Sequence, residues 1–309
     1  MAYVEPPYTL ENLRDWRPEH QSASIRFCVV GDPVAHSASP PMHNAALKAC
    51  CFAMEYVRVH LRPPELQEGV NLLRQNGFLG ANFTIPHKTA VMPLLDSVDP
   101  CAERLGAVNT VRFDAGKSCG YNTDGPGLVR AVTASFGVKL GTLRAMVIGA
   151  GGGAGRAAAI QCALEGCREI TLVNRTPSKA EALAQYLHDL TTGSPALTIR
   201  ALEDTPKNIS DAMSHTDIVL QCSSLGMANE DASPIPKEAI GSHHLIYDTI
   251  YSRRTQLIQD ADAHGAQSAD GLSMLLHQGA LAFEIWLQRP APIEAMNAAL
   301  VAVAGINRV

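Results

Sequence analysis

The sequence predicts an α/β protein of two domains, with mostly parallel sheets. Three observations carry this. Short β-rich runs alternate with amphipathic segments of helical spacing, the order that parallel sheets require. A fully apolar strand leads into Gly149-Ala150-Gly151-Gly152-Gly153-Ala154-Gly155 and then a helix, a context in which glycines let the backbone approach a pyrophosphate. The chain has 309 residues, 46% of them hydrophobic, a length that more naturally makes two domains than one.

The first elements build one end of a crevice. Residues 1–24 read as an extension or loosely docked arm with a helical turn over Tyr8 to Leu13. Ile25 to Val30 is a strand, closed by Gly31-Asp32-Pro33. Ser37 and Ser39 follow, just before Pro40 and a helix over Met42–Cys50. Hydroxyls at a helix N-terminus suit an anion such as a carboxylate, and they equally suit plain capping. Ala53 to Leu61 reads as the second strand, Pro64 to Gln75 as a helix and Phe78 to Ile85 as the third strand.

The end of that third strand, Asn82-Phe83-Thr84-Ile85-Pro86-His87-Lys88, organises the rest. Alternation puts Asn82 and Thr84 on one face and sends Phe83 and Ile85 into a core. Pro86 stops the strand and opens a helix with Lys88 in its first turn, near the strand end where α/β folds collect ligands. An amide, a hydroxyl and an ammonium thus share one crevice; a solvated edge lysine is the bland alternative. Gly106–Val111 and Gly120–Gly125 read as a strand pair around a turn at Asp114–Lys117, the first carrying Asn109 and the second delivering Asp124. A carboxylate beside a lysine orients the ammonium for proton transfer. Asn122 reads as a cap for the helix Gly127–Phe136.

The glycine string lies between the strand Leu143–Ile148 and the helix Ala157–Glu165, and a second strand follows at Glu169–Val173. An acidic residue after that strand would bond a ribose hydroxyl. Here Asn174-Arg175-Thr176, reinforced by Lys179, offers an amide, a guanidinium and a hydroxyl, a set that suits a 2′-phosphate and favours NADP over NAD. Further on come a helix over Ala180–Leu190, a strand at Ile218–Gln221, and a small-residue loop with Ser223 and Gly226 placed to cover the nicotinamide ribose. His244–Thr249 is a strand with Tyr251 just beyond it. Asp270-Gly271 is a turn, and the long helix after it carries Gln278 as the polar member of an apolar run.

Lys plus Arg is 25 against Asp plus Glu 30, a net charge of −5, which argues against a nucleic-acid or anionic-membrane surface. The eight cysteines show neither C-x-x-C nor zinc-like spacing, pointing to a reducing compartment and to no metal. Nothing approaches the eighteen or so apolar residues of a membrane helix. A soluble, cytoplasmic protein acting on a small molecule is the expectation, as a monomer or homodimer.

Collectively these motifs resemble the shikimate dehydrogenase family of shikimate and quinate dehydrogenases, over roughly residues 25–290. The resemblance rests on His36-Ser37-Ala38-Ser39-Pro40, the Asn82–Lys88 heptapeptide, Gly106-Ala107-Val108-Asn109-Thr110, Asn122-Thr123-Asp124-Gly125, the glycine loop, Asn174-Arg175-Thr176, and Asp270-Gly271 through Gln278. It implies that residues 1–124 and 271–309 form an α/β substrate-binding domain with a mostly parallel sheet, into which a Rossmann-like NADP-binding domain, 125–270, is inserted. By the same likeness Ser37 and Ser39, helped by Tyr251, hold a substrate carboxylate. Asn82, Thr84, Asn109 and Gln278 hold ring hydroxyls and the carbonyl, and Lys88 and Asp124 are the catalytic pair. Gly149, Gly151, Gly152, Gly153, Ala154, Asn174, Arg175, Thr176, Lys179, Ser223, Gly226, Thr249 and Gly271 hold the cofactor.

The implied reaction is reversible, NADP-dependent reduction of 3-dehydroshikimate to shikimate, with Lys88 as acid and base. The sequence departs from the family pattern in a glycine loop one residue longer, in Thr249 where many relatives carry methionine, and in Ser273 for a common glycine. Three other readings stand beside it: a quinate or dual quinate/shikimate dehydrogenase using NAD or NADP, a non-catalytic ligand sensor on the same fold, and another NADP-linked enzyme, for example one acting on a folate.

Overall fold

The computed structural model describes residues 6–16, 24–192 and 197–307. They divide into two units. One takes the described residues up to Asp124 together with Gln278–Val303, and the other takes Gly125–His277 together with residues from Ala304 onward.

The first unit is built on a six-stranded sheet, β1 (Ile25–Gly31), β2 (Glu55–His60), β3 (Gly80–Phe83), β4 (Ser97–Val98), β5 (Thr110–Asp114) and β6 (Lys117–Tyr121), in the order β2-β1-β3-β5-β6-β4. β1 pairs in parallel with β2 and β3, and β4 with β6; β5 runs antiparallel to β3 and β6. β1 is buried along its whole length except Arg26, as expected of a strand with neighbours on both edges and helices on its faces. Two of those helices are α2 (Ser39–Ala49) and α3 (Leu66–Gln75), the latter burying Leu66, Val70 and Leu73 at helical spacing.

The N-terminal arm departs from the expectation of loose docking. Helix α1 (Leu10–Arg14) buries Leu10 and Leu13, and Trp16 packs beyond it at 6% exposure. Tyr8 donates its N–H to the Arg58 carbonyl at 2.9 Å and accepts from His60 N–H at 2.7 Å, so the arm extends the edge of β2. A side chain as fully buried as Leu13 contributes about 2 kcal/mol of transfer free energy, which fixes the arm. Residues 1–5 and 17–23 lie outside the described residues.

Two further local expectations fail for identifiable reasons. β3 ends at Phe83, and the chain turns at once, His87 N–H bonding the Thr84 carbonyl at 2.8 Å. Strand alternation therefore stops, and Ile85 is 73% exposed instead of buried. The stretch Gly106–Asn109 is not strand, because a helix missed in the sequence, α5 (Pro100–Leu105), precedes it. Gly106 closes that helix at φ 67°, a conformation glycine adopts without a Cβ penalty. Helix α4 (His87–Ala90) is a single turn carrying Lys88.

The second unit contains a wholly parallel sheet of β7 (Arg144–Ile148), β8 (Glu169–Asn174), β9 (Thr198–Glu203), β10 (Ile218–Gln221), β11 (Leu245–Asp248) and β12 (Gln267–Asp270), ordered β12-β11-β10-β7-β8-β9. Helices α6 (Asp124–Phe136), α7 (Gly153–Leu164), α8 (Pro177–Leu190), α9 (Pro206–Met213) and α10 (Gln256–Ala263) precede or connect the strands, and α11 (Leu272–Leu287) and α12 (Ile293–Asn307) complete the chain. The chain order reverses direction at β7 and β10, the topological switch where such sheets bind ligands. The boundary falls after His277, seven residues past the expected position of 270. Residues 271–273 stay with this sheet: Gly271 N–H reaches the Ile250 carbonyl at 3.3 Å, and Ser273 Oγ lies 2.7 Å from the Tyr247 hydroxyl.

Candidate active site

On the first unit the decisive pair is Lys88 and Asp124. β3 ends on the turn that starts α4, the Lys88 carbonyl accepts from Val108 N–H at 2.8 Å, and Asp124 is the first residue of α6. These anchors bring Lys88 Nζ to 2.7 Å from Asp124 Oδ2, with the lysine side chain 34% and the aspartate 16% exposed. Asn122 accepts the Asp124 N–H through Oδ1 at 3.0 Å and donates to the Ala107 carbonyl at 2.9 Å, which makes it the cap that the sequence suggested.

The carboxamides lie alongside in one buried network. Asn109 Oδ1 accepts Thr123 N–H at 2.7 Å, which orients its Nδ2 toward Thr123 Oγ1 at 2.9 Å and Gln278 Oε1 at 3.5 Å. Asn82 spends both amide hydrogens inside the protein, on the Asn109 carbonyl at 3.1 Å and Thr110 Oγ1 at 3.0 Å, while its Oδ1 accepts from the Tyr56 hydroxyl at 2.8 Å. Thr84 is half-buried, and its methyl lies 2.5 Å from where a Cβ on Gly31 would stand. Ser39 is buried at the start of α2, and Ser37 accepts the Ser39 N–H at 3.3 Å. Arg58 fixes this turn by donating to the Ser37 carbonyl at 2.7 and 3.2 Å, a clamp absent from the sequence reading. Tyr251 belongs to the second unit, in the loop after β11, where burial raises its phenol pKa.

On the second unit the glycine loop ends β7. Gly149 turns at φ 79°, Gly152 caps α7, and Gly153 and Ala154 begin the helix. The tight positions are Gly151, whose Cβ would stand 2.8 Å from Lys179 Cβ, and Gly155, whose Cβ would stand 2.2 Å from the Gly149 carbonyl oxygen. Gly155, which the sequence pattern does not single out, lets α7 start against the loop. The loop is thus a bare backbone cradle at a helix N-terminus, which fits a pyrophosphate. Asn174 locks it from the side, accepting Gly151 N–H at 3.0 Å and donating to the Thr176 carbonyl at 3.0 Å. Arg175, Thr176 and Lys179 stand exposed at the start of α8. Asp204 lies beside Arg175: burial raises its pKa, and the guanidinium partly offsets that.

The Ser223–Gly226 loop is held by side chains that sequence reasoning passed over. Gln221 donates to Ser223 Oγ at 2.9 Å, Asp231 accepts Gly226 N–H at 2.8 Å, and Arg253 donates to the Ala228 carbonyl. Thr249 N–H bonds the Gln221 carbonyl at 2.9 Å, and Gly271 passes so close that its Cβ would meet the Thr249 oxygen at 2.0 Å. A cavity of about 870 Å³ opens elsewhere on this unit, between Ser135, Arg254, Asp262 and Ser268. Of its lining groups, Asp262 pairs with both Arg254 and Ser268.

Three family models match the chain: the shikimate dehydrogenase substrate binding domain over residues 29–111, shikimate / quinate 5-dehydrogenase over 131–229, and the shikimate 5′-dehydrogenase C-terminal domain over 271–301. The chain is 39% identical to shikimate dehydrogenase (NADP(+)) of Symbiobacterium thermophilum, across 90% of its own length and 94% of that protein. This chain belongs to the shikimate dehydrogenase family.

Solved structures of the family match at the level of the whole fold. Shikimate 5-dehydrogenase from Thermus thermophilus, in complex with NADP(H) and shikimate, superposes with a TM-score of 0.79 at 34% identity, covering 90% of this chain and 99% of that one. Quinate dehydrogenase from Corynebacterium glutamicum, in complex with NAD, gives 0.81 at 28% identity, with 90% and 99% covered. The α/β architecture expected from the sequence is thus that of shikimate dehydrogenases. Among the described residues no cluster of His, Cys, Asp and Glu could hold a metal ion, and no helix is long and apolar enough to cross a membrane.

Proposed function

We propose that this protein is an NADP-dependent shikimate dehydrogenase that interconverts 3-dehydroshikimate and shikimate. The observation that carries the proposal is the Lys88–Asp124 pair at 2.7 Å beside the Asn109–Gln278 carboxamides. A binding protein needs the carboxamides; proton transfer needs the lysine.

In this reading the backbone of residues 149–155 and the N-terminus of α7 receive the pyrophosphate, and Arg175, Thr176 and Lys179 receive the 2′-phosphate. When bound, the nicotinamide supplies or accepts the hydride. The chain does the rest. Ser37 and Ser39 hold the substrate carboxylate. Thr84, Asn109 and Gln278 fix the ring hydroxyls, and the second lone pair of Asn82 Oδ1 accepts another. Lys88 delivers a proton to the oxygen on which negative charge develops and takes it back in the reverse direction. Asp124 aims the ammonium through a charge-assisted hydrogen bond. Orientation of this kind adds to acid catalysis worth about 10²- to 10⁴-fold. The proposed compartment is the cytoplasm, and the proposed state a monomer or homodimer.

The test is steady-state absorbance of the reduced nicotinamide, crossing shikimate and quinate with NADP and NAD. Fast turnover with shikimate and NADP alone supports the proposal. Turnover with quinate and NAD moves the protein to the quinate branch of the family, and no turnover in any combination overturns enzymatic function.

A further inference from the structure

The polar face of the substrate site is held from behind by a residue that touches none of the reacting groups. Tyr56 lies in β2, is 1% exposed, and has its backbone clamped on both sides by Asn44: Asn44 Nδ2 donates to the Tyr56 carbonyl at 3.0 Å, and Tyr56 N–H donates to Asn44 Oδ1 at 2.8 Å. Its ring stacks on His43 with centroids 4.4 Å apart and planes 8° from parallel, and Trp286 packs against both rings, 5.3 Å from His43 and 6.1 Å from Tyr56. The phenol is therefore immobile, and its hydroxyl meets Asn82 Oδ1 at 2.8 Å.

The direction of that bond follows from its neighbours. The Asn109 backbone carbonyl can only accept, so the atom of Asn82 facing it must be the amide nitrogen. The atom facing Tyr56 is then the carboxamide oxygen, and Tyr56 is the donor. Thr110 Oγ1 takes the second amide hydrogen and passes the order on to Asn109 and Thr123. The Ser39 hydroxyl faces the same phenol and partly offsets the effect of burial on it. One buried hydroxyl thus joins the serine side of the site to the carboxamide side.

We infer that Tyr56 is a positioning residue for substrate recognition, acting through Asn82: the Asn109 carbonyl decides which end of the carboxamide is the oxygen, and the Tyr56 hydroxyl holds that oxygen in place with its second lone pair left for the substrate. The inference rests on the proposed shikimate dehydrogenase reading. It makes Asn82 an acceptor of a substrate hydroxyl, because both amide hydrogens are engaged. It also makes the effect specific to the substrate, since nothing in the chain of bonds reaches the glycine loop.

The test is Tyr56→Phe, which removes one oxygen and keeps the stack on His43. The expected result is a shikimate KM raised about tenfold, corresponding to one oriented hydrogen bond, with kcat within about threefold and the KM for NADP within about twofold. In the Asn82→Ala background the same substitution should add nothing further, because the partner through which it acts is gone. A purely structural role would instead move the melting temperature and both Michaelis constants together. An unchanged shikimate KM, a parallel rise for NADP, or an additive effect with Asn82→Ala overturns the inference while leaving the enzyme's function standing. A wild-type protein without activity on shikimate fails the functional reading before any variant is made, and the inference falls with it.

Discussion

Lys88 Nζ stands 2.7 Å from Asp124 Oδ2, although 36 residues separate them in the chain. The single turn of α4 delivers the first and the opening residue of α6 the second, so the pair is set by backbone anchors at both ends. Lys88→Ala should lower kcat by about 10²- to 10⁴-fold while changing the shikimate KM by only a few-fold, because it removes a proton donor more than a binding contact. Lys88→Arg keeps the charge and should stay just as slow, since a guanidinium does not release a proton at neutral pH. Steady-state kinetics on both variants decides the point, and near wild-type turnover in either would falsify the assignment of Lys88.

Cofactor choice should reside in Arg175. It stands exposed beside Asp204 at the end of β8, where an NAD site would carry an acid to bond the ribose. Removing a charge-assisted bond to a phosphate costs about 1.5–3 kcal/mol, so Arg175→Ala should raise the KM for NADP by roughly 10- to 150-fold and leave that for NAD nearly unchanged. Equal effects on both cofactors would place the 2′-phosphate elsewhere.

Gly155 offers a test of the cradle that does not depend on charge. A methyl there would lie 2.2 Å from the Gly149 carbonyl oxygen and 2.9 Å from Ala150 Cα, both backbone atoms that cannot swing away. Gly155→Ala should therefore displace the loop, weakening NADP binding by at least tenfold in a calorimetric titration. An unchanged affinity would mean that the loop is not the binding surface.

Which parts of this molecule could be read from its sequence follows from what each residue had to satisfy. Strands with apolar side chains on both faces, such as β1, β7 and β10, announce themselves. β12, with the sequence Gln-Ser-Ala-Asp, and β9, which buries no residue fully, are paired in parallel mainly through their backbones and leave little hydrophobic signal. Helix α9 is only eight residues long and buries two, Ile209 and Met213. At the site, groups with distinctive chemistry were legible: Lys88, Asp124, Arg175 and the glycine string. The residues that hold them were not. Tyr56, Arg58, Thr110, Thr123 and Asp231 act through partners 3 to 28 residues away, and nothing in the local pattern around a buried tyrosine says that its hydroxyl faces a particular asparagine.

Acid should unfold the protein partly through His43. The imidazole is 1% exposed, stacked on Tyr56 with Trp286 tilted against it, and its Nε2 has no hydrogen-bond partner. Burial without a partner disfavours the imidazolium and lowers the pKa from 6.5 to about 3. The unfolded chain, with a histidine near 6.5, therefore binds a proton between pH 6.5 and 3 that the folded chain refuses. The stabilising contribution is whole above pH 6.5 and is lost as the pH falls, by about 1.4 kcal/mol for each unit within that window. His43→Phe keeps an aromatic ring in the stack and removes the titration. Denaturant unfolding at about pH 7.5 and about pH 5.0 should show the wild type losing about 2 kcal/mol more than the variant between the two conditions. Equal losses would mean that His43 takes up its proton in the folded state.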